Sequence, residues 1–163
     1  MKEIPLTQSK IAIVDDDMFE ELSKHKWYFE GRYAARISSL HLGKQKLIRM
    51  HRTICSTPDG METDHINGDK LDNRRENLRI CTRAENSRNK RKRAHNTSGY
   101  KGVYWYKQDK KWEAQIEIEG KNIHLGYFED LLNAARAYDA AAIKLHGSFA
   151  RTNFQEVNCA IRE

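Results

Sequence analysis

The stretch Thr63–Asn86 reads TDHINGDKLDNRRENLRICTRAEN, and its punctuation decides how the middle of the chain folds. METDHI, residues 61–66, has the length and bounds of a short strand. Asn67-Gly68 then opens a long polar turn, NGDKLDNRRE, in which glycine permits the reversal. NLRICT follows as a second strand, with Leu78 and Ile80 alternating with Arg79 and Cys81. Thr82-Arg83-Ala84-Glu85 is a capping box: the threonine oxygen takes an amide of the first turn while the glutamate reaches back. A helix therefore begins after Thr82 and runs into NSRNKRKR. The predicted order is strand, loop, strand, helix.

Asp64 and His65 end the first strand of that unit. An Asp-His pair before a turn is by itself compatible with an ordinary polar loop. Its setting is more specific. Asn86 lies about one turn into the helix, on a face that can turn toward the hairpin. Asp64 and Asn86 then offer two hard oxygen ligands to one Mg²⁺ or Mn²⁺. His65 points to the other side of its strand and stays an uncoordinated imidazole. Asn77 enters the second strand, where its amide can tie down loop backbone. A neutral His65 that takes a proton from an attacking water, beside one divalent ion, is suited to phosphodiester hydrolysis. Two weakly charged ligands leave the substrate phosphate to complete the site.

RMHRTI at 49–54 and DHINGDKLDNRRENLRICTRAEN at 64–86 resemble the HNH nuclease family, in its variant with Asn as the last residue of the motif. The likeness covers roughly residues 47–89. It implies a ββα-metal (His-Me finger) module with His65 as general base, Asn77 as its structural companion in the catalytic motif, and Asp64 and Asn86 as metal ligands.

Outward from this module, the chain has 163 residues, 39% of them hydrophobic and 32% charged, with a formal net charge of +6. The apolar residues fall in short runs, which predicts small modules rather than one large core. The positive balance favours an anionic partner, nucleic acid before membrane. No run of eighteen apolar residues exists, so no membrane span is expected, and the first residues lack the apolar core of a signal peptide. Cys55, Cys81 and Cys159 have no Cys-x-x-Cys spacing and read as reduced structural thiols. Charge concentrates between Thr82 and Lys111, where ten Lys and Arg face two acidic residues. Arg88, Lys90, Arg91, Lys92 and Arg93 lie there as a candidate phosphate track, the alternative being a solvated face. Residues 1–55 read as a small α+β unit: KIAIVD as a strand, DDDMFEELSKHKW as a helix, GRYAARIS and KQKLIRMH as two strands.

Residues 99–155 alternate strongly. YKGVYWYKQ, KKWEAQIEIEG and KNIHLGYF predict three strands. One face gathers Val103, Trp105, Trp112, Ala114, Ile116, Ile118, Ile123 and Leu125. The other carries Tyr104, Tyr106, Lys111, Gln115, Glu117, Asn122 and His124. DLLNAARAYDAAAIKLHG predicts a helix with Asp130 as N-cap and Gly147 just past its end. Its stripe Leu131, Ala135, Tyr138, Ala142 and Leu145 is expected to pack on the sheet. The uncovered polar and aromatic face is either a solvated surface or a reader of the DNA major groove.

Tyr-Lys-Gly-Val at 100–103, Lys-Trp at 111–112, Leu-Gly-Tyr-Phe at 125–128, Ala-Ala-Arg-Ala-Tyr-Asp-Ala-Ala-Ala at 134–142 and Thr-Asn-Phe at 152–154 resemble the AP2 DNA-binding domain. That likeness implies a sheet in the major groove and adds Lys101 to the residues on the other face as candidate DNA contacts. Tyr104, Tyr106, Glu117 and His124 stand where plant members carry arginine or tryptophan, which implies a different target.

The whole chain is thus expected to be α+β: an N-terminal α+β unit (1–55), a nuclease module (56–93), a basic linker (94–98), an AP2-like three-stranded antiparallel sheet backed by one helix (99–155), and a tail (156–163). The expected activity is site-specific nicking of double-stranded DNA with Mg²⁺ or Mn²⁺, by a monomer, a dimer being the alternative. The resemblance implies a phage or mobile-element enzyme acting in the bacterial or phage-infected host cytoplasm. The rival readings are a DNA-binding regulator with a vestigial nuclease site and a nuclease acting on structured DNA.

Overall fold

The computed structural model describes residues 1–39, 45–90, 92 and 95–154. It has a mixed α+β architecture of antiparallel sheets with few helices. The chain divides into two compact units, Met1–Asn86 and Ser87–Glu163.

In the first unit, β1 (Lys2–Pro5) and β2 (Ile11–Val14) form a hairpin, with Ile4 opposite Ala12. Helix α1 (Asp16–Ser23) follows, and its two acidic residues in the first turn suit the positive end of the helix. A second sheet orders β3 (Tyr28–Glu30), β4 (Tyr33–Ile37) and β5 (Leu47–Arg49). Ile4, Leu6, Ala12, Val14, Leu22, Trp27, Ala34 and Met50 make one buried core. The Trp27 indole donates to the Leu22 carbonyl at 2.8 Å, so the large ring is buried with its polar atom satisfied.

The expectation for 1–55 needs three corrections. Two strands, β1 and β3, were not legible. Helix α1 stops at Ser23, so Lys24, His25 and Lys26 lie beyond its last turn. KQKLIRMH is not all strand: β5 ends at Arg49 and helix α2 (Met50–Ile54) begins there. Met50 is fully buried in the core, and this packing sets a helix too short to announce itself.

β6 (Glu62–His65) and β7 (Leu78–Cys81) form the predicted hairpin, with Asp64 opposite Arg79 and His65 opposite Leu78. The loop between them ends in a single 3-10 turn, Arg75–Asn77. This loop is held by the N-terminal strands. Ile13 N donates to Leu71 O at 2.9 Å and Asn73 N to Ile13 O at 2.8 Å, a parallel bridge from β2. Arg75 N donates to Asp15 Oδ2 at 2.8 Å, and its guanidinium reaches Asp17 at 2.5 Å. The capping box opens helix α3 (Arg83–Arg88): Glu85 N donates to Thr82 Oγ1 at 3.2 Å and Thr82 N to Glu85 Oε2 at 2.7 Å.

In the second unit β8 (Val103–Tyr106), β9 (Lys111–Ile118) and β10 (Lys121–Phe128) form an antiparallel sheet with β9 in the centre. Helix α4 (Leu131–His146) covers one face. Asp130 caps it, accepting from Asn133 N at 2.8 Å, and Gly147 ends it at φ +54°. Val103, Ala114 and Ile116 of the sheet meet Ala134, Ala135, Tyr138 and Ala142 of the helix. The close approach depends on Gly102. A Cβ there would lie 2.0 Å from the Tyr138 ring, at a backbone φ of +75°.

Three residues expected in this core are exposed: Trp105, Ile123 and Leu145. Trp105 and Ile123 are on the outer strands, and the Trp105 ring lies 4.9 Å from that of Trp112 instead of under the helix. Leu145 is in the helix's last turn. The strand β10 also carries a bulge between His124 and Gly126. Leu125 and Gly126 together oppose Ala114, which shifts the alternation by one residue. Tyr127 consequently faces outward with His124.

Candidate functional site

Strand alternation separates the two residues of the Asp-His pair. Glu62 and Asp64 share one face of β6, and Thr63 and His65 the other. Asp64 is buried, and its carboxylate receives the Arg79 guanidinium at 2.8 and 3.1 Å with Lys70 Nζ at 3.9 Å. Asn86 leaves the first turn of α3 toward the same face: its Nδ2 donates to Glu62 Oε2 at 2.6 Å. Asn86 is therefore tied to the strand of Asp64, two residues before it.

His65 has no exposed surface. Its Nε2 stands 3.3 Å from Asn73 Oδ1, and Asn73 is itself held by β2 and by its own Nδ2 donating to Leu71 O at 3.0 Å. Asn77 ties the loop at two points. Its Oδ1 accepts from Asn67 N at 2.9 Å, and its Nδ2 donates to Asp72 O at 2.8 Å. Asp72 in turn holds the Arg74 guanidinium, which keeps its carboxyl below the ordinary range.

A second histidine lies against the first. His51, on α2, is buried with its ring centroid 5.0 Å from that of His65 in an edge-to-face arrangement. Tyr33 packs on His51 at 4.9 Å. Burial pulls the His65 imidazole down to about 4, aided by the Lys70 charge and opposed by the Asn73 contact. Burial likewise lowers His51 to about 3, with the positive charges around it adding to the shift. Both rings are neutral at pH 7. Asn73, Arg79, Lys70 and Glu62 were not singled out from sequence; His51, with Arg52, reads there as a phosphate contact or a structural residue at a module junction, and its ring is buried against His65. The RMHR run carried the only signal for His51, and it does not say which ring it meets.

The basic residues are distributed as follows. Arg88 ends α3 and is half-buried. Lys90 Nζ donates to Ser87 Oγ at 3.1 Å and Lys92 Nζ to Gly99 O at 2.8 Å. Arg91 and Arg93 lie outside the described residues. Lys101 is turned inward: its Nζ donates to Arg88 O at 2.6 Å and sits over the Tyr138 ring, and burial pulls it down to about 8.

On the uncovered face of the second unit's sheet, Tyr104, Tyr106, Lys111, Gln115, Glu117, Asn122 and His124 lie together as the alternation requires. Two residues were missed there, Glu113 and Tyr127. Glu113 pairs in register with Tyr104 on one side and Tyr127 on the other. His124 Nδ1 donates to Glu113 Oε1 at 3.0 Å. The Tyr127 ring lies 4.6 Å from His124 and 4.9 Å from Tyr106. Glycine inside the Leu-Gly-Tyr-Phe strand was the available signal for a bulge.

Among the described residues no helix is long and apolar enough to cross a membrane. Residues 56–88 match the HNH endonuclease family model and residues 98–148 the AP2 domain model. Protein 3.8 of Escherichia phage T7 is 38% identical over 94 residues, covering 58% of this chain and 77% of that protein. An uncharacterized HNH endonuclease of Acanthamoeba polyphaga mimivirus is 32% identical over 145 residues, 87% of this chain and 74% of that one. APETALA2-like protein 2 of Oryza sativa subsp. japonica is 47% identical over 58 residues, 36% of this chain and 13% of its own length. The chain belongs to the HNH endonucleases of the phage type that carry an AP2 domain, and is a nuclease with a DNA-binding domain.

Proposed function

We propose that the chain is a site-specific endonuclease that nicks double-stranded DNA, with β6, β7 and α3 as a ββα-metal module. The observation that carries this is the division of labour on β6. Asp64 and the Asn86-bound Glu62 share one face, and a neutral His65 is held on the other. Asp64 and the Asn86 carbonyl oxygen are the donors for one Mg²⁺ or Mn²⁺. The fit is chemical: one carboxylate and one amide oxygen are hard ligands, and Asp64 now sits against two cations that mark it as a site for positive charge. A bound ion would supply Lewis-acid polarisation of the scissile phosphate and offset charge on the departing 3′ oxygen.

The chain's own residues supply the remaining steps. His65 takes the proton of the attacking water. The new P–O bond forms as the P–O3′ bond breaks. Asn73 holds the imidazole at Nε2, and Asn77 holds the loop that carries Asn73. Because His65 is fully buried, water reaches it only when the surrounding side chains move aside. Lys70, 29% exposed beside Asp64, is placed to meet the incoming phosphate. The basic segment 87–97 supplies further positive charge, and the exposed sheet face lies in the major groove and selects the target. One catalytic centre per chain cuts one strand, and a monomer suffices.

The test is relaxation of supercoiled plasmid with Mg²⁺ or Mn²⁺, with and without EDTA, by the native chain and by His65→Ala. Metal-dependent nicking lost in the variant, at discrete mapped positions, supports the reading. Nicking by both chains removes His65 as base. Cuts that follow DNA structure rather than sequence remove the site-specific part.

A further inference from the structure

We propose that Glu113 is a specificity-determining residue of the DNA-binding sheet and that it selects cytosine in the target. The inference rests on the reading above that this sheet enters the major groove, and it names what the sheet reads there.

Glu113 is central by construction. It lies on the middle strand, paired in register with Tyr104 of β8 and Tyr127 of β10. Its side chain is 24% exposed, against 46% for His124 beside it. His124 Nδ1 takes up Oε1 at 3.0 Å. The carboxylate is therefore held among three rings with one oxygen engaged, a pre-ordered group rather than a loose surface acid. Among the described residues it forms no ion pair with Lys or Arg.

A fixed carboxylate is a poor neighbour for phosphate. In the major groove its partners are hydrogen-bond donors, and the bases offer two: cytosine N4 and adenine N6. Adenine presents the N7 acceptor beside N6, which opposes the second carboxylate oxygen. Cytosine presents no acceptor on its own major-groove edge. Guanine and thymine offer O6, N7 or O4, all acceptors, and are rejected. Glu117, the other acid of this face, is exposed near the hairpin end of β9 and lacks such a frame.

Selection from a randomised duplex library in EDTA, with the full chain, tests this. The native chain should enrich cytosine at one position by about tenfold or more over thymine, the scale of one good base contact. Glu113→Gln, isosteric and able to pair with adenine N6 and N7, should admit adenine at that position. Glu113→Ala should flatten that position and leave the others. Circular dichroism of each variant shows that the sheet is intact. A consensus that is identical in the native chain and both Glu113 variants overturns this inference and leaves the sheet-in-groove reading standing. A native chain that yields no consensus overturns both.

Discussion

Two neutral histidines buried against each other should make the first unit acid-sensitive well above the range where carboxylates titrate. The perturbation is a change from pH 7 to pH 5. Folded His65 titrates near 4 and His51 near 3, against 6.5 for each as an ordinary histidine. The folded protein therefore stays unprotonated at both rings while the unfolded chain takes up a proton at each below 6.5. Their contribution to stability is complete above pH 6.5 and is lost as pH falls through the window down to about 4 and 3. Linkage gives a loss of about 2 kcal/mol per histidine between pH 7 and 5, and about 4 kcal/mol for the pair. Both side chains are buried, so solvent screening does not reduce these figures materially. His51→Phe keeps an aromatic ring against Tyr33 and His65 and removes one titrating group. Urea unfolding in EDTA, followed by Trp27 fluorescence with Trp105 and Trp112 changed to Phe, reads the first unit alone. The parent should lose about 4 kcal/mol between the two pH values and the His51→Phe chain about 2 kcal/mol. Equal losses in the two chains would show that His51 is not held neutral by burial.

Two substitutions test the units separately. Asn86→Ala removes a proposed ligand oxygen and the bond to Glu62. It should lower nicking by at least about tenfold at limiting Mg²⁺, with DNA binding in EDTA kept, and unchanged cleavage would sink the ligand role. Gly102→Ala places a methyl on the Tyr138 ring at positive φ. It should destabilise the second unit by about 2–4 kcal/mol in a full-chain melt followed at Trp112, and combination with Tyr138→Ala should give less than the sum of the two losses.

Local rules were legible where the sequence itself supplies both partners. Thr82 and Glu85 are three residues apart and formed the capping box that their spacing predicts. Asp130 and Gly147 bounded α4 for the same reason. Legibility failed where the deciding partner lies far along the chain. Asn73 is one more polar residue in a loop until Ile13, sixty positions earlier, pairs with that loop and sets it under His65. His51 meets His65 because Met50 is buried and starts a helix where alternation suggested a strand. In the second unit a single bulge was enough to mislead. Strict alternation past His124 puts Tyr127 inside, whereas Leu125 and Gly126 both turn inward and Tyr127 joins the uncovered face.

The same long-range contacts explain what the first 55 residues do for the proposed chemistry. A two-stranded hairpin with one short helix has little apolar surface of its own, and β6, β7 and α3 bury few large side chains. The geometry of His65 must come from elsewhere. It comes from β2 through the Ile13 bridge, from Asp15 and Asp17 through Arg75, and from α2 through His51. Each of these acts on the loop or the imidazole, while the Asp64 and Asn86 face is organised within the hairpin and α3. The proposed general base is thus oriented by the N-terminal strands and helices, and the proposed metal ligands by the hairpin. A change in the first 55 residues should disturb proton transfer before it disturbs metal affinity.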